Sequence, residues 1–452
     1  MTNEKDISYR YKQAIWLYIF LLIFEGALRK WFLPGLATPL LLIREPIVIG
    51  LTAIAFNRGL IKLPFVFILV CLSTISFFLT LIVGHQNLWT ALYGWRIYLF
   101  HIPFIFVIAK LLDRADLLRV GRVVLYISIP MTTLIIGQFY APQSAWINRG
   151  IGGDTDGAGF GGAMGFFRPP GTFSFTSGYV MYQLLVGVFL FYYLINNRLL
   201  PKAFQIHPWV IGLMLVCYIV TIPYSISRTH LFQTIVLIAF MSVGVILHPV
   251  AKIRSSFLKT IPIIVVSLLL IMSTGIMGDS SAAFEERFES ANETEGGMEG
   301  VIGNRYFGSF IRGILNEDAP FWGYGLGLGT NVGANLAGGS DGMFSFFNGE
   351  EEWPRLTSES GLLLGWCIIA IRLFLSGFIA LKAYHTMRSK KDMLPSMLTA
   401  GVLITLPQGS LGIPTNLGFI VLLSGLTLAS LRNTQKAKKH SMLNINNKKV
   451  LN

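Results

Sequence analysis

Charge is scarce in this chain, because only 13% of its 452 residues are Asp, Glu, Lys or Arg. Soluble globular proteins carry about 25% charged residues. This shortage, with 53% hydrophobic residues and a mean hydropathy of +0.61, excludes an ordinary soluble fold. Apolar stretches of about 20 residues, long enough to span a bilayer as helices, recur along the sequence, whereas the alternating pattern of an outer-membrane barrel is absent. We therefore predict an all-α polytopic membrane protein, with residues 1–452 in a single integral membrane domain.

Cysteine and histidine are also scarce, which limits the chemistry open to the chain. The three cysteines, Cys71, Cys217 and Cys367, all lie in apolar stretches and predict buried packing residues without a disulfide framework. No serine–histidine–acid or metal-ligand spacing is present, and residues 279–358 contain no histidine. We therefore expect neither a metal site nor a cofactor, and proton transfer in that segment would depend on carboxylates.

The hydropathy pattern also predicts the topology. Twelve transmembrane helices are predicted, over residues 13–33, 38–56, 65–83, 92–112, 123–140, 178–195, 209–224, 229–247, 260–278, 359–381, 394–407 and 416–431. Most of the 36 lysines and arginines fall in the termini and the even-numbered loops, so the positive-inside rule places both termini in the cytoplasm. The glycine-rich loop 142–177 and the large loop 279–358 then face outward, while the basic tail 433–452 is cytoplasmic. The formal charge of +13 reflects this insertion bias, and we predict no nucleic-acid partner.

Several ionisable residues fall inside the predicted spans, where each one calls for a partner or a role. Glu25 and Arg29 are spaced i, i+4 on the first span, and Arg44 and Glu45 are adjacent on the second. We predict a structural ion-pair cluster between these two spans. Three further residues could join the cluster, extend to the interface or line a cavity: Arg96, His101 and Arg372.

Arginines recur in the loops of the predicted outward face, and three of them lie next to predicted helix ends. The five residues concerned are Arg168, Arg228, Arg305, Arg312 and Arg355. Arg305 and Arg312 flank the aromatic residues Tyr306, Phe307 and Phe310, a pattern that suits an interfacial helix. A guanidinium keeps its charge and donates paired hydrogen bonds to phosphate oxygens. Any one of these arginines could be a simple interface anchor, but the set together predicts binding of a diphosphate.

The large loop carries the other candidate site residues. Its run Phe321–Gly329 includes Tyr324, Gly325 and Gly327, and it lacks the strand–turn–helix setting of a nucleotide fingerprint. The run predicts either a tight loop that offers backbone N–H groups to a sugar or phosphate, or a flexible connector. The candidate bases are the carboxylates Glu350, Glu351, Glu352 and Glu359, together with His85 and His230 in other outward loops.

Five short motifs on the outward side resemble those of a known family. They read Arg168-Pro-Pro-Gly-Thr-Phe173, Ser225-Ile-Ser-Arg228, Asn304-Arg305, Ala319-Pro-Phe-Trp-Gly-Tyr-Gly-Leu-Gly327 and Ser358-Glu-Ser-Gly-Leu-Leu-Leu-Gly-Trp366. Through these motifs, the twelve predicted helices and the large outward loop, the chain resembles the O-antigen ligase and O-antigen polymerase family of bacterial envelope proteins. The resemblance covers residues 160–430.

The resemblance implies a metal-independent glycosyltransferase of the GT-C type in the bacterial cytoplasmic (inner) membrane. The implied donor is an undecaprenyl-diphosphate-linked glycan and the implied acceptor is a glycan or glycolipid, with Arg168, Arg228 and Arg305 holding the diphosphate. Ligases of this family usually carry a His-Asn pair shortly before the glutamate that matches Glu359, where this chain has Asn348-Gly-Glu-Glu-Glu352. Three alternatives follow: a carboxylate, Glu350 or Glu351, takes the role of base, the acceptor differs, or the protein lacks the activity. This departure favours a polymerase or an exopolysaccharide enzyme over a lipid A-core ligase.

Two other classes of protein remain open at this level. A twelve-helix transporter or flippase for envelope glycans or other solutes is favoured by the charges within the first, second and fourth spans. A non-enzymatic scaffold of a polysaccharide export complex would share the same hydropathy. A cavity through the membrane lined by those charges would indicate transport, whereas convergence of the outward arginines would indicate the transferase.

Overall fold

The computed structural model describes residues 2–61, 64–157, 159–259, 277–295, 308–315, 319–336 and 351–432, with residues 262 and 266. The helices are α1 (Thr2–Ala27), α2 (Ala37–Leu40), α3 (Glu45–Asn57), α4 (Pro64–Ile82), α5 (Leu88–Arg96), α6 (Ile102–Leu111), α7 (Arg114–Tyr140), α8 (Thr176–Asn196), α9 (Pro208–Tyr224), α10 (Arg228–Ile246), α11 (251–259), α12 (Gly278–Glu295), α13 (Gly308–Ile314), α14 (Asn331–Leu336), α15 (Glu352–Lys390), α16 (Leu394–Thr405) and α17 (Pro414–Arg432). Short 3-10 turns are Pro34–Leu36, Trp146–Asn148, Ile151–Gly153, Asn197–Leu199 and Lys202–Phe204. One antiparallel hairpin pairs β1 (Gly161–Ala163) with β2 (Phe166–Phe167).

Nine helical segments among the described residues are long and apolar enough to cross a membrane, judged by length and composition. The prediction of an all-α, multi-pass membrane protein is confirmed at this level, and the nine segments lie on nine of the predicted spans. The first predicted span is covered by α1 and the eleventh by α16, which has only 12 residues. The ninth, 260–278, and the tail 433–452 lie largely outside the described residues, so the count of twelve and the sidedness of the termini remain predictions.

The central helix of the bundle is α8. Nearly all of its residues are buried, and it packs against α7, α9, α10, α16 and α17. It is apolar on all sides, which is the pattern of a helix surrounded by other helices. Gly187 allows close approach, since a Cβ there would lie 2.8 Å from the Tyr218 hydroxyl. The helix that begins directly after the Arg168 motif is therefore the one around which the others assemble.

One end of the bundle, which we call the basic end, is held by ion pairs. Lys12 Nζ lies 2.6 Å from Asp113 Oδ2, and Arg114 pairs with Asp392. Asp113 and Asp116 also form a capping box at the start of α7, where each side chain accepts the other's backbone N–H. These contacts bring the N-terminal helix, the α6–α7 turn and the α15–α16 turn together at one end. The predicted topology likewise puts the N-terminus and these two loops on the same side of the membrane.

The opposite end, the loop end, contains the segments 28–44, 84–88, 141–176, 225–228, 319–336, 351–361 and 406–413. Close backbone contacts through glycine join them. A Cβ on Gly94 of α5 would lie 2.5 Å from Gly327 N, and one on Gly412 would lie 2.7 Å from Gly329 O. Similarly, a Cβ on Gly178 at the start of α8 would lie 2.9 Å from Thr415 at the start of α17. The hairpin strand β1 packs against α12, so the two loops predicted to face outward meet at one end of the bundle.

Several helices at the loop end are irregular, and charged residues occupy the irregular turns. A π-helical turn, Leu28–Phe32, extends α1 and contains Arg29 and Lys30, while a second, Ile97–His101, links α5 to α6. Such turns are rare and often mark functional sites. Gly361, at φ +78° and ψ 164°, interrupts α15. The prediction that the tenth helix starts at Glu359 and that Arg355 precedes it was wrong, because α15 begins at Glu352.

Candidate functional site

Arg168 lies at the start of the central helix. Its Nη2 donates a hydrogen bond to the hydroxyl of Thr176, the first residue of α8, at 2.9 Å. Phe175, which precedes the helix, provides no side-chain cap. The first N–H groups of a helix carry a partial positive charge that favours anions and disfavours cations. A guanidinium at this position therefore contributes to a site whose electrostatics favour a bound anion.

The segment that follows Arg168 is fixed by α1 and α7. Lys30 Nζ donates to Gly171 O at 2.6 Å, and Gln138 accepts from Gly171 N at 2.8 Å. The Thr172 hydroxyl donates to Ile23 O at 2.6 Å. Gly171 has φ +60° and Gly26 of α1 lies directly against residues 172–174, where a Cβ would overlap the backbone. The Pro-Pro-Gly-Thr sequence therefore positions Arg168 through a buried turn that these hydrogen bonds hold in place.

Arg228 is the first residue of α10, so it too stands at a helix N-terminus. Ser227 caps this helix by accepting the His230 N–H. The preceding residue, Ile226, has φ +45°, a left-handed conformation that is strained for a β-branched side chain. Its side chain is 1% exposed and packs beside Gly162 of the hairpin, where a Cβ would lie 3.1 Å from Ile226 Cδ1. Burial of Ile226 stabilises the turn that presents Arg228, and strain of this kind clusters at functional sites.

The two arginines come from adjacent segments of the loop end. Arg168 directly follows the β1–β2 hairpin, and the turn before Arg228 packs on that hairpin. Phe166 of the hairpin stacks on Phe139 at 4.3 Å, and Phe139 meets Tyr224 edge-on at 5.1 Å. The hairpin thus connects the starts of α8 and α10 across the ends of α7 and α9.

His230 is buried among aromatic side chains of α8 and α9. The residue is 1% exposed, and its ring contacts Tyr179 and Tyr218 edge-on, at 6.2 and 5.7 Å between centroids. Its Nδ1 lies 3.4 Å from the Ser225 hydroxyl. In this structure the imidazole is a buried packing group within the bundle and does not reach a surface shared with Arg228.

The glycine run is tightly bound to its neighbours. Tyr324 N donates to Ser358 O at 2.8 Å and Gly325 N to Glu359 O at 3.0 Å, which places the run beside the break in α15. Gly325 and Gly327 adopt φ +116° and +94°, values that other residues rarely adopt. Gly327 lies against Thr90 and Gly94 of α5. These N–H groups are used within the protein, so at these positions the run is neither a flexible connector nor an open anion cradle.

Arg355 and Glu359 belong to a buried ion network that sequence reasoning missed. Arg355 donates Nε and Nη2 to Glu352 at 2.9 and 2.8 Å, and Nη1 to Glu359 at 2.7 Å. Arg372 joins through Nη1 to Glu352 Oε1 at 2.7 Å. The four side chains are at most 4% exposed. Glu352, Arg355 and Glu359 have the i, i+3 and i, i+4 spacing of ion pairs on one helix, which was a usable signal. Hydropathy, however, placed Glu352 and Arg355 before the start of the tenth predicted helix.

This network also satisfies irregular backbone. Arg372 donates to Leu406 O at 3.0 Å and Gly409 O at 2.6 Å, and Glu352 accepts from Leu411 N at 3.1 Å. Gly329 N of the glycine run donates to Glu359 at 2.7 Å. Arg355 and Glu359 thus position the loops in this structure, and their polar atoms face protein partners.

Glu351 and Arg312 form a more exposed pair at the same end. Arg312 Nε donates to Glu351 Oε2 at 3.1 Å, and a second guanidinium nitrogen contacts the other oxygen. The Arg312 side chain is 52% exposed and the Glu351 side chain is 29% exposed. The pair links α13, part of the predicted interfacial segment, to the start of α15. Arg305 and Glu350, the other predicted site residues of this loop, lie outside the described residues.

The predicted ion-pair cluster between the first two spans is confirmed. Glu25 contacts Arg44 at 2.8 Å and Arg29 at 3.5 Å. Arg96 and His101 do join the second-span residue Glu45, at 3.0 and 2.9 Å. Arg372, the third candidate member, instead joins the network on α15. Arg29 also donates to the Ser174 hydroxyl at 3.1 Å, and Arg44 to Pro414 O at 3.2 Å, so this cluster supports the segment after Arg168.

The loop end therefore contains two arginines at helix starts, two buried ion networks and one half-exposed carboxylate. No protein-family model matches the chain, and no curated protein matches it in sequence.

Proposed function

We propose that the protein is a glycosyltransferase of polymerase or ligase type. It would transfer an undecaprenyl-diphosphate-linked glycan to an acceptor sugar hydroxyl at the extracytoplasmic face of the bacterial cytoplasmic membrane. One observation carries the proposal: Arg168 and Arg228 stand at the N-termini of two helices, in adjacent segments of one end of the bundle. Two cations beside two positive helix ends match a ligand with two negative charges, such as a diphosphate.

The proposed reaction is a displacement at the anomeric carbon of the donor. The acceptor hydroxyl oxygen forms the new bond to this carbon while the bond to the diphosphate oxygen breaks. The leaving diphosphate gains negative charge, which Arg168 and Arg228 stabilise, with Arg305 as the third predicted contact. The hydroxyl proton passes to a carboxylate acting as general base. The products are the lengthened glycan and undecaprenyl diphosphate.

Glu351 is the best-placed base among the described carboxylates of α15 and its cap. Its side chain is 29% exposed, whereas Glu352 and Glu359 are at most 1% exposed and held by arginines. Arg312 fixes the Glu351 carboxylate through both guanidinium contacts. A base must reach the acceptor, and only the half-exposed carboxylate offers an accessible oxygen without breaking a buried network. Glu350 remains the second predicted base.

The alternative of a transporter depends on the charges of α1, α3 and α5. In this structure Glu25, Arg44, Glu45 and Arg96 are paired with one another and buried, which supports a structural role. An assay of the purified protein with a lipid-linked donor distinguishes a transferase from a transporter or a scaffold. A transporter or scaffold would leave the donor chemically unchanged.

The test uses full-length protein in detergent with an undecaprenyl-diphosphate-linked oligosaccharide and an acceptor glycan. We expect longer glycans from the unmodified protein, and a loss of about 100-fold or more in rate for Arg168→Ala or Arg228→Ala, the scale seen when one donor to a developing anion is removed. Arg149→Ala is the matched control, since it removes an arginine of the same loop that does not start a helix. It should retain activity.

A second variant tests the base. Glu351→Gln should lower the rate, while Arg312→Gln should lower the rate less. Unchanged glycan ladders in both Arg168→Ala and Arg228→Ala, with the protein folded, would refute the proposed transfer.

A further inference from the structure

A second group of buried cations lies between α1, α3 and α5, where the proposed transfer reaction does not use it. We call it the cationic cluster: Glu25, Arg29, Lys30, Arg44, Glu45, Arg96 and His101. Arg29, Lys30 and Arg44 are 8%, 1% and 3% exposed. Inside a membrane protein such residues need counter-charges close by.

The carboxylates of the cluster are too few for its cations. Glu25 is shared by Arg29 and Arg44, and Glu45 by Arg96 and His101. Lys30 has Gly171 O at 2.6 Å and the Trp31 ring at 4.6 Å as partners in the described part of the chain. With His101 neutral, four cations face two carboxylates. With Lys30 also neutral, one guanidinium remains in excess, because arginine does not deprotonate in proteins.

Within the described part of the chain the cluster thus has an excess of positive charge, which is costly in a low-dielectric interior and calls for an additional anion. The donors for it are present. Arg44 Nη1 and Arg96 Nε are buried and make no hydrogen bond of normal geometry within the described residues. The two halves of the cluster meet at the adjacent residues Arg44 and Glu45, and the Tyr93 ring lies 3.7 Å from the Arg96 guanidinium.

We propose that the cationic cluster binds a phosphate-type oxyanion between α1, α3 and α5, as a second site distinct from the starts of α8 and α10. Three guanidinium groups suit this ligand, because their planar donor pairs match phosphate oxygens. The phosphate can belong to the head group of an anionic phospholipid or be free in solution. Through Arg29 and Lys30 the bound anion would also stabilise residues 171–174, which follow Arg168.

Calorimetric titration of the full-length protein in a neutral detergent tests this proposal. One arm adds sodium phosphate and the other adds a short-chain phosphatidylglycerol. We expect saturable binding in at least one arm, and the arm that binds identifies the source of the phosphate. Arg96→Gln should weaken this binding at least tenfold. Arg119→Gln should leave it unchanged, because that arginine is 59% exposed at the basic end.

A substitution that is expected to strengthen phosphate binding makes the test stricter. Glu45→Gln removes a competing carboxylate and should strengthen binding several-fold. If Arg96→Gln does not fold, Arg96→Lys keeps the charge, loses the planar donor pair and should give an intermediate affinity.

Absence of binding in both arms would overturn the proposal, as would equal affinity in the Arg96→Gln variant. Loss of binding in Arg168→Ala but not in Arg96→Gln would also overturn it, because the ion would then belong at the start of α8. Since the readout is binding, a protein without transferase activity can still satisfy this test.

Discussion

The most direct test of the loop end is removal of the charge of Glu352. Its carboxylate accepts from Arg355 at 2.8 and 2.9 Å, from Arg372 at 2.7 Å and from Leu411 N at 3.1 Å. A glutamine amide has a similar shape but carries no charge, and its NH2 group would face guanidinium donors. Arg355 would then keep only the Glu359 carboxylate of the network, and Arg372 would keep only the carbonyls of Leu406 and Gly409. Removing one partner of a buried ion network costs about 3–5 kcal/mol, so we expect Glu352→Gln to lower the free energy of unfolding by that amount.

The neighbouring residue provides a matched control. Glu351→Gln breaks only the half-exposed pair with Arg312, and exposed pairs contribute about 0–1 kcal/mol. The measurement is an unfolding titration of the full-length protein in mixed micelles, followed by tryptophan fluorescence. Trp353 is a local reporter, since it is 6% exposed and its indole N–H donates to Pro407 O at 3.0 Å.

The salt dependence separates the two pairs further. Raising the ionic strength from about 0.05 to 0.5 M should weaken the effect of Glu351→Gln and leave that of Glu352→Gln unchanged, because buried charges are poorly screened. Equal destabilisation by the two substitutions, or a Glu352 effect that salt removes, would refute the assignment of a buried network.

Two further predictions concern packing and pH. Gly94→Ala should destabilise the protein because its Cβ would lie 2.5 Å from Gly327 N, whereas Gly50→Ala, with no atom within 4 Å, should be neutral or stabilising in the same titration. At the basic end, burial raises the pKa of Asp113, but hydrogen bonds from Lys12 and from backbone outweigh it and hold the pKa below the ordinary value. The contribution of Asp113 to the free energy of unfolding is therefore complete above about pH 4, the pKa in the unfolded chain, and is lost as the pH falls further. Asp113→Asn should remove this acid-side loss of stability, and an unchanged pH profile would contradict the assignment.

Much of the fold was predictable because the membrane restricts the possible structures. Backbone in hydrocarbon must form helices, so long apolar runs locate them reliably. Nine predicted spans coincide with described helices that are long and apolar enough to cross a membrane. The Glu25–Arg29–Arg44 cluster was also predictable, since i, i+4 spacing and scarce intramembrane charge both limit the choice of partners.

The remaining features depend on contacts between residues far apart in the sequence. Arg372 reaches Glu352 across the break at Gly361, and no local pattern predicts that pairing. The glycine run was interpreted as an exposed or flexible loop because glycine allows both. Its actual role follows from close approach to α5 and α15, which only the tertiary structure determines. Hydropathy also missed the start of α15, because buried ion pairs make its first turns look polar.

The structure separates two kinds of arginine at the loop end. Arg29, Arg44 and Arg372 donate to the backbone carbonyls of Ala37, Pro414, Leu406 and Gly409. Irregular backbone near a membrane interior needs such hydrogen-bond donors, so these arginines have a structural role whether or not a ligand binds. Arg168 and Arg228 lie beside the first turns of α8 and α10, where the free N–H groups of each helix favour an anion. The proposed diphosphate site is therefore at the starts of α8 and α10.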